Sequence, residues 1–133
     1  MEEINRMVIF SNYLKPTDIS ARLTIPTDAL EHINMLEGDN NVYLFPKDSD
    51  GKEWGFRCYT RLSGHPKPAF TTGWLDFVRA NGLQIRDKVT FSKLQEDEDE
   101  AAGGAPQYRI HATREITLMG EQIQVDLPQR FRQ

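Results

Sequence analysis

Hydrophobic and polar residues alternate along most of this chain, and this period of two is the feature that most restricts its fold. The pattern is present at Val8 and Phe10, at Leu23 and Ile25, and again in QYRIHATREITL and EQIQVDL near the C-terminus. Because successive side chains of a β-strand point to opposite faces of a sheet, alternation predicts strands with one buried face. Between the first two strands, NYLKPTDISAR is polar and contains Pro16, which indicates a connecting loop. The sequence therefore predicts a mainly β fold.

Residues 41–61 are predicted to form a hairpin. Asp50-Gly51 is a strong turn signal between two strand-like segments. Alternation on the second strand directs one set of side chains toward the core, namely Trp54, Phe56 and Cys58. The other set points outward as a basic and aromatic stripe of Arg57, Tyr59 and Arg61. A further strand follows at residues 87–93, with Val89 and Phe91 inward.

Two short helices are predicted between the strands. The first follows Pro26, where Thr27 or Asp28 can cap it and Glu31 can complete a capping box with Asp28. Its end is expected at Gly38, and its core-facing side chains are expected to be Leu30, Ile33 and Leu36.

The second helix carries an apolar stripe with helical spacing, formed by Trp74, Phe77 and Val78. Thr71 or Thr72 is expected to cap its start. Asn81-Gly82 suits its C-terminal end, because glycine adopts the left-handed conformation at low cost. These three apolar side chains are assigned to the core.

Composition indicates a soluble, intracellular, single-domain protein. The chain has 133 residues, of which 38% are hydrophobic, and these values suit one folded domain. No apolar run approaches the roughly 20 residues that span a membrane, and the N-terminus lacks the pattern of a secretory signal. The single cysteine, Cys58, cannot form an internal disulfide and fits a reducing compartment.

The net charge of −4 is unevenly distributed. Residues 96–100 read EDEDE, which predicts a solvated acidic loop. Residues 53–93 carry seven basic residues against three acidic ones, so a basic face is compatible with the overall acidity.

Enzymatic chemistry is not expected. The three histidines are far apart in sequence, a single cysteine gives no zinc-ligand pair, and no phosphate-binding glycine motif is present. Asp48 and Asp50 fit a hairpin turn better than a calcium loop, since two acids fall short of the ligands that calcium needs. We therefore expect neither a metal nor a cofactor.

Several motifs in the same order resemble the plant B3 DNA-binding domain over residues 8–94. The family's W-x-F strand, T-x-G-W-x-x-F-V, Leu and G-D-x-V-x-F are represented by Trp54 and Phe56, Thr71 to Val78, Leu83, and Asp87 to Phe91. Its phenylalanine, L-x-x-S/T-D and R-L-x-[IVL]-P are represented by Phe10, Leu14 to Asp18, and Arg22 to Pro26. Arg86 stands where the family usually has glycine, so we expect a different backbone conformation at that turn.

The resemblance implies an open, seven-stranded β-barrel with two short α-helices that inserts two arms into the DNA major groove. The expected N-arm residues are Lys15, Thr17, Asp18, Ser20 and Arg22. The expected C-arm residues are Arg61, Ser63, His65, Pro66 and Lys67, and Arg57 and Tyr59 on the outward stripe lead into them. Asp18 has a second interpretation, in which its carboxylate holds the N-arm through local backbone hydrogen bonds.

The implied function is sequence-specific binding of double-stranded DNA by a nuclear transcriptional regulator that needs no metal or cofactor. Other transcription regulators are candidates for a second partner. The expected domain covers residues 8–127, with an acidic insert at 95–106 and tails at 1–7 and 128–133. The alternative is a protein-interaction module that has lost base reading, which the acidity favours. A third interpretation is the recognition domain of a bacterial restriction endonuclease.

Overall fold

The computed structural model describes residues 5–33, 40–61, 67–95 and 107–127, which form two four-stranded antiparallel sheets. The first sheet contains β1 (Asn5–Tyr13), β6 (Lys88–Gln95), β7 (Gln107–Leu118) and β8 (Glu121–Leu127), in the spatial order β1-β6-β7-β8. The second contains β2 (Leu23–Thr24), β3 (Asn41–Leu44), β4 (Phe56–Arg61) and β5 (Lys67–Phe70), in the order β2-β5-β4-β3. Three helical segments connect these strands: α1 (Pro16–Ser20), a 3-10 helix (Thr27–His32) and α2 (Trp74–Asn81).

Single hydrogen-bonded contacts join the two sheets into an open barrel. Lys47 donates its N–H to the Tyr108 carbonyl and accepts the N–H of Ile110, both at 3.0 Å. On another side the Asn12 side-chain amide donates to the Thr24 carbonyl at 3.3 Å. The predicted mainly β, open-barrel architecture is therefore confirmed. Seven strands were expected, and the described residues contain eight, of which β2 has only two residues.

Aromatic rings fill the space between the sheets. Phe56 contacts Trp74 and Phe77 edge-on, with ring centroids 5.8 and 5.7 Å apart, and Phe70 packs edge-on against Phe91 at 5.2 Å. These five side chains are almost completely buried. Burial of such large apolar surfaces is the main favourable contribution to folding. The predicted inward positions on β4, β6 and α2 are thus confirmed.

A β-bulge in β1 corrects the prediction that Val8 and Phe10 share a buried face. Val8 lies opposite Ser92 while Phe10 lies opposite Phe91, so the intervening Ile9 is one extra residue on this strand. A bulge shifts the period of two by one residue. As a result Phe10 is buried, whereas Val8 is 55% exposed.

The helices begin differently from the prediction. The segment predicted as a loop contains α1, and the helix after Pro26 is a single 3-10 segment without a side-chain cap. Within this helix Ala29 is buried and Leu30 is only half-buried, and Ile33, which follows the helix, is buried as predicted. Leu36 and Gly38 lie outside the described residues.

Gly73, rather than a threonine, occupies the position before α2. Its φ is +90°, and a Cβ at this position would lie only 1.9 Å from the Gly55 carbonyl oxygen. Only glycine fits both requirements. The predicted end of the helix is confirmed, since Gly82 adopts φ +61° there.

The turn before β6 keeps a left-handed residue although glycine is absent. Arg86 has φ +78°, so the expected change of backbone conformation is wrong. The turn is fixed by the buried Asp87 carboxylate, which accepts the Gln84 N–H at 2.7 Å and a two-point hydrogen bond from Arg114 at 2.8 Å. These bonds over-determine the backbone, and Arg86 adopts the strained conformation in consequence. The hydrogen bonds that Arg114 donates to Asp87 also raise the pKa of Arg114.

Candidate nucleic-acid interface

Two open cavities lie side by side, the first on the outside of the second sheet and the second between the end of β1, α1 and β2. The first, of about 620 Å³, is lined by Arg22, Tyr59, Arg61 and Lys67 together with residues of β2 and β5. The second, of about 640 Å³, is lined by Lys15, Thr17 and Asp18 together with the end of β1. Both cavities are lined by Thr24, Ile25 and Pro26, so they are neighbours on either side of this segment, and the two together are called the trough below. The structure thus brings residues predicted for both arms onto a single surface.

Two like charges face each other where β4 and β5 lead into the predicted C-arm. Arg61 and Lys67 are direct cross-strand partners, and both side chains are exposed. Like charges directly opposite each other on a sheet are destabilising. Their juxtaposition creates a local positive potential that favours an anionic partner. Ser63, His65 and Pro66 lie outside the described residues.

Tyr59 and Arg57 occupy the outward face of β4, as alternation predicted. The Arg57 Nε donates to Asn41 Oδ1 at 2.7 Å, and the guanidinium lies 5.3 Å from the centroid of the Tyr59 ring. Arg57 does not line either cavity, whereas Tyr59 does. Arg57 therefore orients Tyr59 at the wall of the trough.

The N-arm side of the trough is built on α1. Lys15 and Thr17 are exposed, but Asp18 is only 6% exposed, and its carboxylate accepts the main-chain N–H of Lys15 at 2.7 Å. This geometry matches the second interpretation of Asp18, in which it holds the arm in place. Ser20 donates its hydroxyl to the Pro16 carbonyl at 2.9 Å and does not line the trough. Arg22, just beyond α1, is exposed toward the C-arm side.

Comparison with known proteins adds to this geometry. The sequence model of the family described as "B3 DNA binding domain" matches residues 10–102. This match covers more than half of the chain. The chain belongs to the B3 family.

Curated relatives are about one-third identical to this B3 chain over the aligned residues. It is 33% identical over 97 residues to the B3 domain-containing protein Os07g0183700 of Oryza sativa, covering 65% of this chain and 17% of the relative. It is 32% identical over 97 residues to the B3 domain-containing transcription factor NGA3 of Arabidopsis thaliana, covering 69% and 27%. The chain thus spans well under half the length of these relatives.

Solved B3 structures share the fold. The structure described as an Arabidopsis FUS3–DNA complex has a TM-score of 0.62 and 26% identity, covering 80% of this chain and 96% of that one. The complex of the Arabidopsis thaliana transcription factor LEC2 with DNA has a TM-score of 0.64 and 20% identity, covering 84% and 96%. The second likeness concerns the fold alone.

Several residues that line the trough were missed by sequence reasoning, among them Thr24 and Tyr13. Thr24 is exposed and lines both cavities, and Tyr13 is exposed beside Lys15, with the Lys88 ammonium 5.8 Å from its ring centroid. Alternation around Leu23 and Ile25 already directs Thr24 outward, so the exposure of Thr24 could have been predicted from the sequence. The position of Tyr13 depends on the bulge in β1, which the sequence does not reveal.

The structure offers little for other chemistry. Burial raises the pKa of the Cys58 thiol to about 11, so this side chain is a protonated core residue at neutral pH. Within residues 5–33, 40–61, 67–95 and 107–127, no three His, Cys, Asp or Glu side chains are grouped to hold a metal ion. None of the described helices has the length and apolar character needed to cross a membrane.

Proposed function

We propose that residues 8–127 form a sequence-specific, double-stranded DNA-binding module that acts in transcriptional regulation in the nucleus. The supporting observation is the trough, whose two neighbouring cavities carry Lys15 on one side and Arg22, Arg61 and Lys67 on the other. The family membership and the DNA named in the solved FUS3 complex point the same way. The role is binding and not catalysis.

The trough supplies both kinds of contact that DNA recognition needs. Its arginine and lysine side chains can neutralise phosphates or donate to guanine O6 and N7. Thr17 and Thr24 add hydroxyl groups that can contact either surface. The N-arm is held by the Asp18 hydrogen bond, which lowers the ordering cost of binding. We assign direct DNA contact to Lys15, Thr17, Arg22, Tyr59, Arg61 and Lys67, and a positioning role to Asp18 and Arg57.

Selection from a randomised duplex pool at two salt concentrations tests this proposal. We expect an enriched short motif whose affinity falls as salt rises, because phosphate contacts release counterions. If no sequence motif is enriched, or if the affinity for DNA does not change with salt concentration, sequence-specific DNA recognition would be contradicted. The protein-interaction alternative would then be favoured.

A charge-matched pair of variants then tests the trough itself. Arg61→Ala with Lys67→Ala removes two positive charges from its wall and should weaken binding about tenfold or more, with a salt slope smaller by about 1.8. Arg6→Ala with Arg79→Ala removes the same charge from exposed side chains outside both cavities. Equal losses from the two double variants would reject the assigned interface.

A further inference from the structure

The β7–β8 hairpin projects beyond the rest of the first sheet. Pairing between β6 and β7 ends at Lys88 and Thr113, whereas β7 continues to pair with β8 as far as Leu118. Met119 and Gly120 form its tight turn, with φ of +52° and +82°. The hairpin lies beyond residues 10–102, the part of the chain that matches the B3 family. It is therefore a feature of this chain that the family match does not account for.

The projecting part of the hairpin is amphipathic. Residues directly opposite each other share a face, and the buried pair Ala112 and Leu127 continues outward into an apolar face. The apolar members of that face are Ile116, Leu118, Ile123 and Val125, and the face also carries Arg114 opposite Val125 and Glu121 opposite Leu118. The other face is polar throughout and consists of Thr113, Glu115, Thr117, Gln122, Gln124 and Asp126. Leu118 is 56% exposed and Ile123 is 37% exposed, so the apolar face extends past the core.

Strand β8 also has an outer edge that no strand of the described residues pairs with. It is the last strand in its sheet, and its register with β7 runs without a bulge from Glu121 to Leu127. The two-residue turn makes Leu118 and Glu121 a hydrogen-bonded pair, so Gln122, Gln124 and Asp126 direct their main-chain groups away from β7. Residues 121–127 contain no lysine or proline, the residues that commonly protect edge strands.

We propose that this edge pairs with β8 of a second copy of the chain, antiparallel about a two-fold axis through Gln124. In this register Gln124 pairs with itself and Gln122 pairs with Asp126, which satisfies the outward main-chain groups. Ile123 lies against Val125 of the second copy at the closer, non-hydrogen-bonded position, and Glu121 lies against Leu127. No charge meets a like charge, and both apolar pairs fall on the same face. Apart from Glu121 against Leu127, the strand is thus self-complementary in charge and in polarity.

The predicted dimer is symmetric and weak. A seven-residue strand pair is smaller than the standard interface of about 1,600 Å². Association should therefore depend on concentration, and the two sheets would join into one of eight strands. Where the proposed DNA-binding function holds, a two-fold axis would also relate the two troughs, which suits inverted repeats.

Sedimentation without DNA tests the dimer independently of the proposed function. Over about a hundredfold range of concentration, the wild-type chain should shift from monomer to dimer. Gln124→Pro removes the central edge N–H without affecting a bond to β7, and it should remain monomeric. Thr117→Pro is the matched control, because its N–H points to the opposite edge of the hairpin, and it should dimerise like the wild type.

A cysteine variant keeps the test decisive if the proline variant fails to fold. Gln124→Cys brings two thiols together at the two-fold axis, within the Cα separation that a disulfide accepts, and mild oxidation should give a covalent dimer. Thr117→Cys should not cross-link. A monomer at every concentration, a dimer unaffected by Gln124→Pro, or preferential cross-linking through Thr117→Cys would each overturn the proposal.

Discussion

The indole of Trp74 donates a hydrogen bond of 2.6 Å to the main-chain carbonyl of Asp18. These residues are 56 positions apart in sequence, and they join the first turn of α2 to α1. Since α1 carries residues predicted for the N-arm and α2 follows β5, this bond connects two elements that flank the trough. The position of α1 relative to α2 is therefore fixed by a buried contact.

Trp74→Phe should lower both stability and DNA affinity. Phenylalanine keeps a ring in the core but leaves the Asp18 carbonyl without its donor and leaves space unfilled. We expect a loss of about 2–4 kcal/mol in the free energy of unfolding, measured by urea denaturation. Leu75→Ala on the half-buried face of α2 is a comparison variant, and it should lower stability with less effect on the affinity of the remaining folded protein. Equal effects on affinity would contradict the connecting role.

Arg86→Gly should stabilise the protein. A non-glycine residue in the left-handed region costs about 1–2 kcal/mol, and glycine recovers this at a smaller cost in unfolded-chain entropy. We expect a net gain of about 0.5–1 kcal/mol by urea denaturation. Arg86→Ala is the control for loss of the side chain and should give no such gain. A similar gain from both variants would place the effect in the side chain and not in the backbone.

Stability should fall between about pH 9 and 11 through Cys58. Burial raises the pKa of this thiol from 9.0 to about 11, so the unfolded state releases its proton first as pH rises. The contribution of this thiol to the free energy of unfolding is thus fully present below pH 9. About 2–3 kcal/mol of that free energy is lost as pH increases toward 11. Cys58→Ala should remove this part of the alkaline decline, measured as the difference between the two unfolding curves. Parallel pH profiles would argue against a thiol contribution.

Lys67→Gln should separate stability from binding. Relief of the direct cross-strand repulsion with Arg61 should leave stability unchanged or raise it by about 0.2–1 kcal/mol at low salt. The same change should weaken DNA binding, because a positive charge leaves the trough. Thermal unfolding at low and high salt, together with titration of the selected duplex, measures both effects. A clear loss of stability would mean that Lys67 serves the fold and not the ligand.

Much of the architecture follows from local sequence rules. Alternation correctly predicts the buried Phe56, Val89 and Phe91, and the Asn81-Gly82 signal correctly ends α2. Asp48 behaves as the turn residue that was predicted, since its carboxylate accepts the N–H groups of Asp50 and Lys52 and that of the Trp54 indole. These features depend on neighbours in sequence and are visible without the fold.

The errors arise where distant residues decide the outcome. Val8 is exposed because β1 bulges against β6, and Gly73 replaces a threonine cap because the Gly55 carbonyl lies against it. Asp18 had two interpretations in the sequence, and its burial within α1 and its bond to the Lys15 N–H became visible only with the structure. Arg86 has a positive φ, as glycine commonly does, because the hydrogen bonds between Asp87 and Arg114 fix the backbone of this turn.

The pairing of β1 with β6 has a consequence for how the chain reaches its native state. The Ser11 and Thr90 hydroxyls, 2.9 Å apart on these strands, are 79 positions apart in sequence. Before β1 and β6 can pair, the chain between them must therefore close into a long loop, which lowers its conformational entropy. Such non-local contacts slow folding to times of milliseconds to seconds. During synthesis, β1 remains without its partner until most of the chain has been made.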